Sequence, residues 1–136
     1  MTEKYLDNYI FPAIIEKAAD TYGVYFKDLP GCIATGSTMQ EAVAEAKQAL
    51  ALHLWGMEQD KEPIPTPGNI EEISLEANEI LCLIDINMFQ IRAKMNNTPV
   101  KKTLTIPWYL NKLGEERRIN FSQLLQNALK EKLGLL

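Results

Sequence analysis

The 136-residue sequence offers few side chains that could do covalent or metal chemistry. His53 is the only imidazole, so a His-x-x-x-His metal site cannot be built within one chain. Cys32 and Cys82 lie 50 residues apart with no Cys-x-x-Cys pair, which is the pattern of small buried hydrophobes in a reducing compartment. A two-metal nuclease needs several carboxylates converging from strand centres on ions about 3.5–4 Å apart. The run Tyr9–Ile15 contains no acid, and Asp85 is the single acid inside Glu79–Met88; it reads as a solvent-facing strand residue. No catalytic residue, cofactor or metal is therefore expected. Recognition chemistry is better supplied. Lys101, Thr103 and Thr105 alternate with Leu104 and Ile106, setting hydrogen-bonding groups on one face of a strand and a core-forming pair on the other.

The elements that must hold these residues are short. Thr38–Gln59 brings back Met39, Val43, Ala46, Leu50, Leu54 and Met57 at three- and four-residue steps, with Thr38 and Glu41 as a capping box. At about 1.5 Å per residue that helix runs roughly 30 Å, enough to cross a small sheet. His53 falls on or beside its apolar stripe as a core-edge residue. Upstream, Asn8–Lys17, Tyr22–Phe26 and Cys32–Gly36 are rich in Ile, Tyr, Phe and Val and are separated by Asp20-Thr21 and Leu29-Pro30-Gly31; they read as a three-stranded meander. Lys61–Gly68 holds three prolines and serves as a connection. Glu79–Met88 sets Ile80, Cys82, Ile84, Ile86 and Met88 against Leu81, Leu83, Asp85 and Asn87, a fourth strand apolar enough to be central in its sheet. The order β-β-β-α-β predicts an α+β layer with the helix on one sheet face.

Beyond it, Arg92-Ala-Lys-Met-Asn-Asn-Thr-Pro is polar and reads as a linker ending at Pro99. The alternating strand Val100–Pro107 follows. Pro107 suits the first turn of a helix, and Trp108, Leu110 and Leu113 carry an apolar side towards Arg117-Arg118. Gly114 inside that helix costs about 1 kcal/mol relative to Ala. Asn120 with Gln123 forms a capping-box variant, opening a second helix whose stripe Phe121, Leu124, Leu125, Ala128, Leu129 and Leu133 ends at Gly134. Below roughly 40 residues a chain seldom folds alone, and one strand leaves its hydrogen bonds unpaired. A two-fold dimer remedies both. Two copies of Lys101–Ile106 would pair antiparallel, and Leu104, Ile106, Leu124, Leu125 and Leu129 would close a shared core.

Charge divides the chain the same way. Its formal charge of −4, taken whole, argues against nucleic acid. Yet residues 1–95 hold 7 basic and 15 acidic side chains while residues 96–136 hold 7 basic and 3 acidic, −8 against +4. Binding follows the local potential over a Debye length of roughly 8–10 Å, so the two parts are expected to meet different partners. No run of about 18 apolar residues spans a membrane, and the N-terminus lacks the apolar core of a secretion signal, which makes the cytoplasm the expected compartment.

Phe11-Pro-Ala-Ile-Ile-Glu-Lys, Tyr22-Gly-Val-Tyr-Phe-Lys-Asp-Leu-Pro-Gly-Cys, and Thr35-Gly-Ser-Thr-Met-Gln-Glu-Ala followed by Pro63-Ile-Pro resemble the HicB antitoxins of toxin–antitoxin pairs. The resemblance covers nearly the whole chain. It implies a partial ribonuclease-H-like fold over residues 1–92 that holds a HicA-like RNA-cleaving toxin, with contacts near the strand edges and the Asp28–Gly31 turn; Tyr25, Asp28, Pro30 and Gly31 are the candidates. Lys102-Thr-Leu-Thr-Ile-Pro and Asn120-Phe-Ser-Gln-Leu-Leu resemble the ribbon-helix-helix repressors, implying a DNA-binding homodimer over residues 100–136, joined by a 93–99 linker, with higher oligomers left open. In such proteins the paired strands enter the major groove. Lys101, Thr103 and Thr105 would then face the bases, Lys102 the phosphate edge, and Asn120, Phe121 and Ser122 would present backbone N–H groups to a phosphate. A regulator with a ligand-sensing N-terminal unit and a divergent nuclease stay open as other readings.

Overall fold

Residues Asn8–Lys17 form strand β1, in which Tyr9, Phe11, Ala13 and Ile15 alternate onto one face and are all buried, as a period of two requires. The computed structural model describes residues 5–135, and the chain divides into two compact units between Thr98 and Pro99. In the first unit β1 is followed by β2 (Tyr22–Tyr25) and β3 (Ile33–Gly36), then by helix α1 (Met39–Gln59) and strand β4 (Glu79–Asn87). The four strands make one antiparallel sheet in the order β3-β2-β1-β4. The first three are the expected meander.

The position of β4 differs from the expectation. It lies at the sheet edge, and β1 is central. The reason is visible in burial: β1 buries Phe11, Ala13 and Ile15 on one face and also Pro12 and Ile14 on the other, where Ile10 stays 57% exposed, whereas β4 buries Ile84 and Ile86 on one face and leaves Leu83 53% exposed on the other. An apolar alternation therefore reported one covered face here, not two neighbours. Pro12, which has no N–H to give, falls before Ile14, where β2 first joins, in the stretch of β1 that pairs on one side only.

Helix α1 covers the Phe11 face with Ala42, Ala46, Leu50, Ala51 and Leu54. Thr38 caps it, its Oγ1 accepting the Glu41 N–H at 3.1 Å, while the Glu41 carboxylate accepts from the Ser37 hydroxyl at 2.8 Å. Small residues let the helix sit close. A Cβ on Gly36 would collide with the backbone of Glu41 and Ala42, so the end of β3 can lie directly under the first turn of α1.

After β4 the chain turns at once into helix α2 (Met88–Met95), where the alternation suggested more strand and then, from Arg92, a linker. Asn87 causes the change: its side chain accepts the Gln90 N–H at 3.2 Å. Met88 is fully buried, which satisfies either periodicity and so masked the switch. Arg92 then ties three segments together. It donates to the Glu58 carboxylate at 2.7 Å, to Asp7 at 2.6 Å and to the Leu6 carbonyl at 2.6 Å, joining α2 to the end of α1 and to the approach of β1.

In the second unit α3 spans Trp108–Glu116 and α4 Phe121–Leu133. Gly114, expected to weaken α3, is its buried residue, and a Cβ there would stand 2.5 Å from Phe121 Cζ. The glycine is thus what allows the Phe121 ring to pack on α3. Residues 99–107 carry no strand; a β-ladder needs a second strand, and the described residues of this unit contain no other to supply it.

Candidate functional site

The four toxin-contact candidates cluster on one end of the sheet. Lys27–Gly31 forms the turn between β2 and β3, pinned by Leu29, which is 1% exposed, and by the Leu29 N–H donating to the Phe26 carbonyl at 3.2 Å. Pro30 and Gly31 project from it into solvent, with Gly31 at φ 89°, a conformation glycine adopts without strain. Asp28 and Tyr25 are already engaged. Asp28 accepts the Gly68 N–H at 3.2 Å, fastening the proline-rich connection to this turn. The Tyr25 hydroxyl donates to Glu79 Oε2 at 2.9 Å, reaching from β2 across the central strand to β4. That bond, after the backbone bond from Glu76, holds the Glu79 carboxyl below its ordinary range, and the same partner raises the Tyr25 hydroxyl.

The residue types capable of chemistry are dispersed. Asp85 is exposed and lies 3.7 Å from the Lys47 ammonium. His53 is half-buried on α1. Cys32 is in the core, where burial pushes its thiol up to about 11, so it carries almost no thiolate at neutral pH. Among the described residues no three His, Cys, Asp or Glu side chains are gathered to hold a metal, and no helix is long and apolar enough to cross a membrane.

The second unit is built around a groove rather than a core. Leu104, Ile106, Leu124 and Leu125, together with Lys102, Asn111, Phe121, Ser122 and Ala128, line a cavity of about 490 Å³. Leu129, the fifth expected core residue, is 50% exposed. So are the flanking apolar residues, from Val100 at 86% to Leu133 at 66%. Lys101, Thr103 and Thr105 are exposed and do not line the groove. Asn120 uses its side chain to cap α4, accepting the Gln123 N–H at 3.0 Å, which leaves the Phe121 and Ser122 N–H groups at the helix start. Sequence reasoning missed the Arg92 clamp, because Glu58, Asp7 and Arg92 are remote in the chain and share no local pattern.

Comparison with known proteins places these features in a family. The model of the HicB-like antitoxin of bacterial toxin–antitoxin systems matches residues 11–128. A 14.9 kDa uncharacterized protein from the rep–hol intergenic region of Haemophilus phage HP1 is 32% identical over 101 residues, covering 72% of this chain and 73% of that one. Among solved structures, a chain of a toxin–antitoxin complex from Streptococcus pneumoniae superposes with a TM-score of 0.58 at 25% identity over 92% of this chain and 99% of its own length. The antitoxin HicB3 does so with a TM-score of 0.51 at 28% identity, over 91% of this chain and 97% of its own.

Proposed function

Because the chain belongs to the HicB-like antitoxins of bacterial toxin–antitoxin systems, we propose that it has two tasks, neither of them catalytic. Residues 1–98 bind and block a HicA-like RNA-cleaving toxin in the cytoplasm, on a partial ribonuclease-H-like scaffold with the Tyr25–Gly31 end of the sheet at the contact. Residues 99–136 pair with those of a second copy as a ribbon-helix-helix and repress the chain's own operon.

The observation that carries this reading is the division of charge and cover between the units. A protein that cuts RNA must hold phosphates with basic side chains. A unit with 15 acids against 7 bases draws such a protein in and competes for its RNA surface. The other unit is basic and leaves its apolar groove uncovered, which an identical unit can close. Closure would bring two copies of Lys101–Ile106 together, with Lys101, Thr103 and Thr105 outward to bases, Lys102 to a phosphate edge and the Phe121 and Ser122 N–H groups to a phosphate.

Co-expression tests the first task. A small basic protein is expected to be encoded beside this chain; it should arrest growth when induced alone and permit growth when the full-length chain is induced with it, and arrest that persists beside soluble chain would refute the antitoxin reading. For the second, Thr103→Ala with Thr105→Ala should abolish preference for the operon's own promoter DNA over unrelated DNA in gel shifts while the dimer persists. Undiminished preference removes the ribbon from the DNA contact.

A further inference from the structure

The outer edge of β3 is open. Sheet order ends there, and the ladder shows which backbone groups it leaves free. The Phe26 N–H donates to the Cys32 carbonyl at 3.4 Å, so the pair Phe26/Cys32 faces inward. Counting in twos along the register, Val24 with Ala34 and Tyr22 with Gly36 also face inward. Ile33 and Thr35 therefore turn their N–H and C=O groups away from β2. They turn them into a groove of about 410 Å³, walled on its far side by Glu45, Gln48, Ala49 and Leu52 of α1.

The lining of the groove has the chemistry of a strand-binding cleft. Ala34 and Ala49 line it with small side chains, Ile33 at 68% and Leu52 at 50% exposure supply apolar contact, and Glu45 is its one charged lining residue. The opposite edge, at β4, is blunted by the exposed Lys47–Asp85 pair. We propose that the β3–α1 groove is the docking site for an extended, basic segment of the toxin, which adds as a fifth strand beside β3 and sets a Lys or Arg against Glu45. This rests on the antitoxin reading and names its surface and mode. A second copy of this chain would bring a unit of charge −8 against another; an RNA-binding toxin brings the complementary sign.

The test uses the full chain and the toxin identified by that co-expression, made cleavage-deficient by substitution, with affinity read by calorimetry. Thr35→Pro removes an N–H that β2 does not use and is compatible with an edge strand, so its circular dichroism and melting should match the wild type while affinity falls roughly tenfold to a hundredfold. Leu52→Glu, on the exposed face of α1, should weaken binding in the same direction and decides the matter if the proline variant does not fold. Leu83→Glu, on β4, should bind as the wild type does. Undiminished binding by folded Thr35→Pro, or by Leu52→Glu in its stead, overturns the groove while leaving the antitoxin reading intact. Failure of the wild type to bind overturns both. A fall in the mass of the toxin-free chain on Thr35→Pro assigns the groove to a second copy and overturns the toxin assignment.

Discussion

At the scale of single residues, the fold rests on contacts whose cost falls on one atom. Gly36 admits no Cβ because the backbone of Ala42 and Glu41 occupies the space. Gly36→Ala should destabilise the first unit by about 1–3 kcal/mol, measured by urea denaturation, although alanine ordinarily stabilises a chain. Gly114 differs, since what it meets is the end of the Phe121 side chain, and a ring that is 40% exposed can turn aside. The Tyr25–Glu79 bond makes a second, pH-dependent prediction. The Glu79 carboxyl is held low in the fold, so its contribution is present above the ordinary carboxylate range and is lost as pH falls through the lowered value. Between about pH 7 and about pH 3, Glu79→Gln should therefore lose less melting temperature on acidification than the wild type does. An equal loss in both would show that the bond does not bear on stability. Neither partner of this pair could be matched from sequence, because 54 residues separate them.

Elements were legible where a local signal was self-sufficient. The span of β1, the Thr38 cap of α1 and the Asn120 cap of α4 follow from residues within one turn or one pleat of each other. Position within the sheet did not follow, since β4 looks central by composition and lies at the edge; neighbours are a property of the sheet and not of the strand. Helix α2 was hidden because Met88 fits both a strand and a helix. The run 100–107 has strand alternation without a strand, which is consistent with the proposed pairing between two copies. That supplies a prediction at this scale. Leu104 lines the open groove at 56% exposure, so Leu104→Asp should cost the single unit little and dissociate the dimer, because a charge would be carried into the shared core. Gel filtration with light scattering reads the result, and an unchanged dimer would place Leu104 outside the interface.

For the whole molecule, the proposed function requires that the two units respond differently to salt. The basic unit's hold on DNA should weaken steeply, since each phosphate contact releases counterion: the logarithm of affinity should fall about 0.9 per contact for each decade of salt. Toxin affinity, resting partly on strand pairing and apolar contact, should fall less, with salt acting chiefly on its association rate. Titrations of both across the same salt series check this, and parallel slopes would argue against separate modes of binding. The charge division behind this was fully legible in the sequence; the groove beside β3 was not, for it is made by α1 lying against an edge that only the folded sheet possesses.

The pairing of β1 with β4 also has a temporal side. Its ladder joins Ile10 to Asp85, so the central strand is synthesised well before its principal partner. At roughly 5–20 residues per second that interval is on the order of 4–15 s. During it β1 carries backbone N–H and C=O groups that β4 has not yet paired, an edge that any other strand could meet.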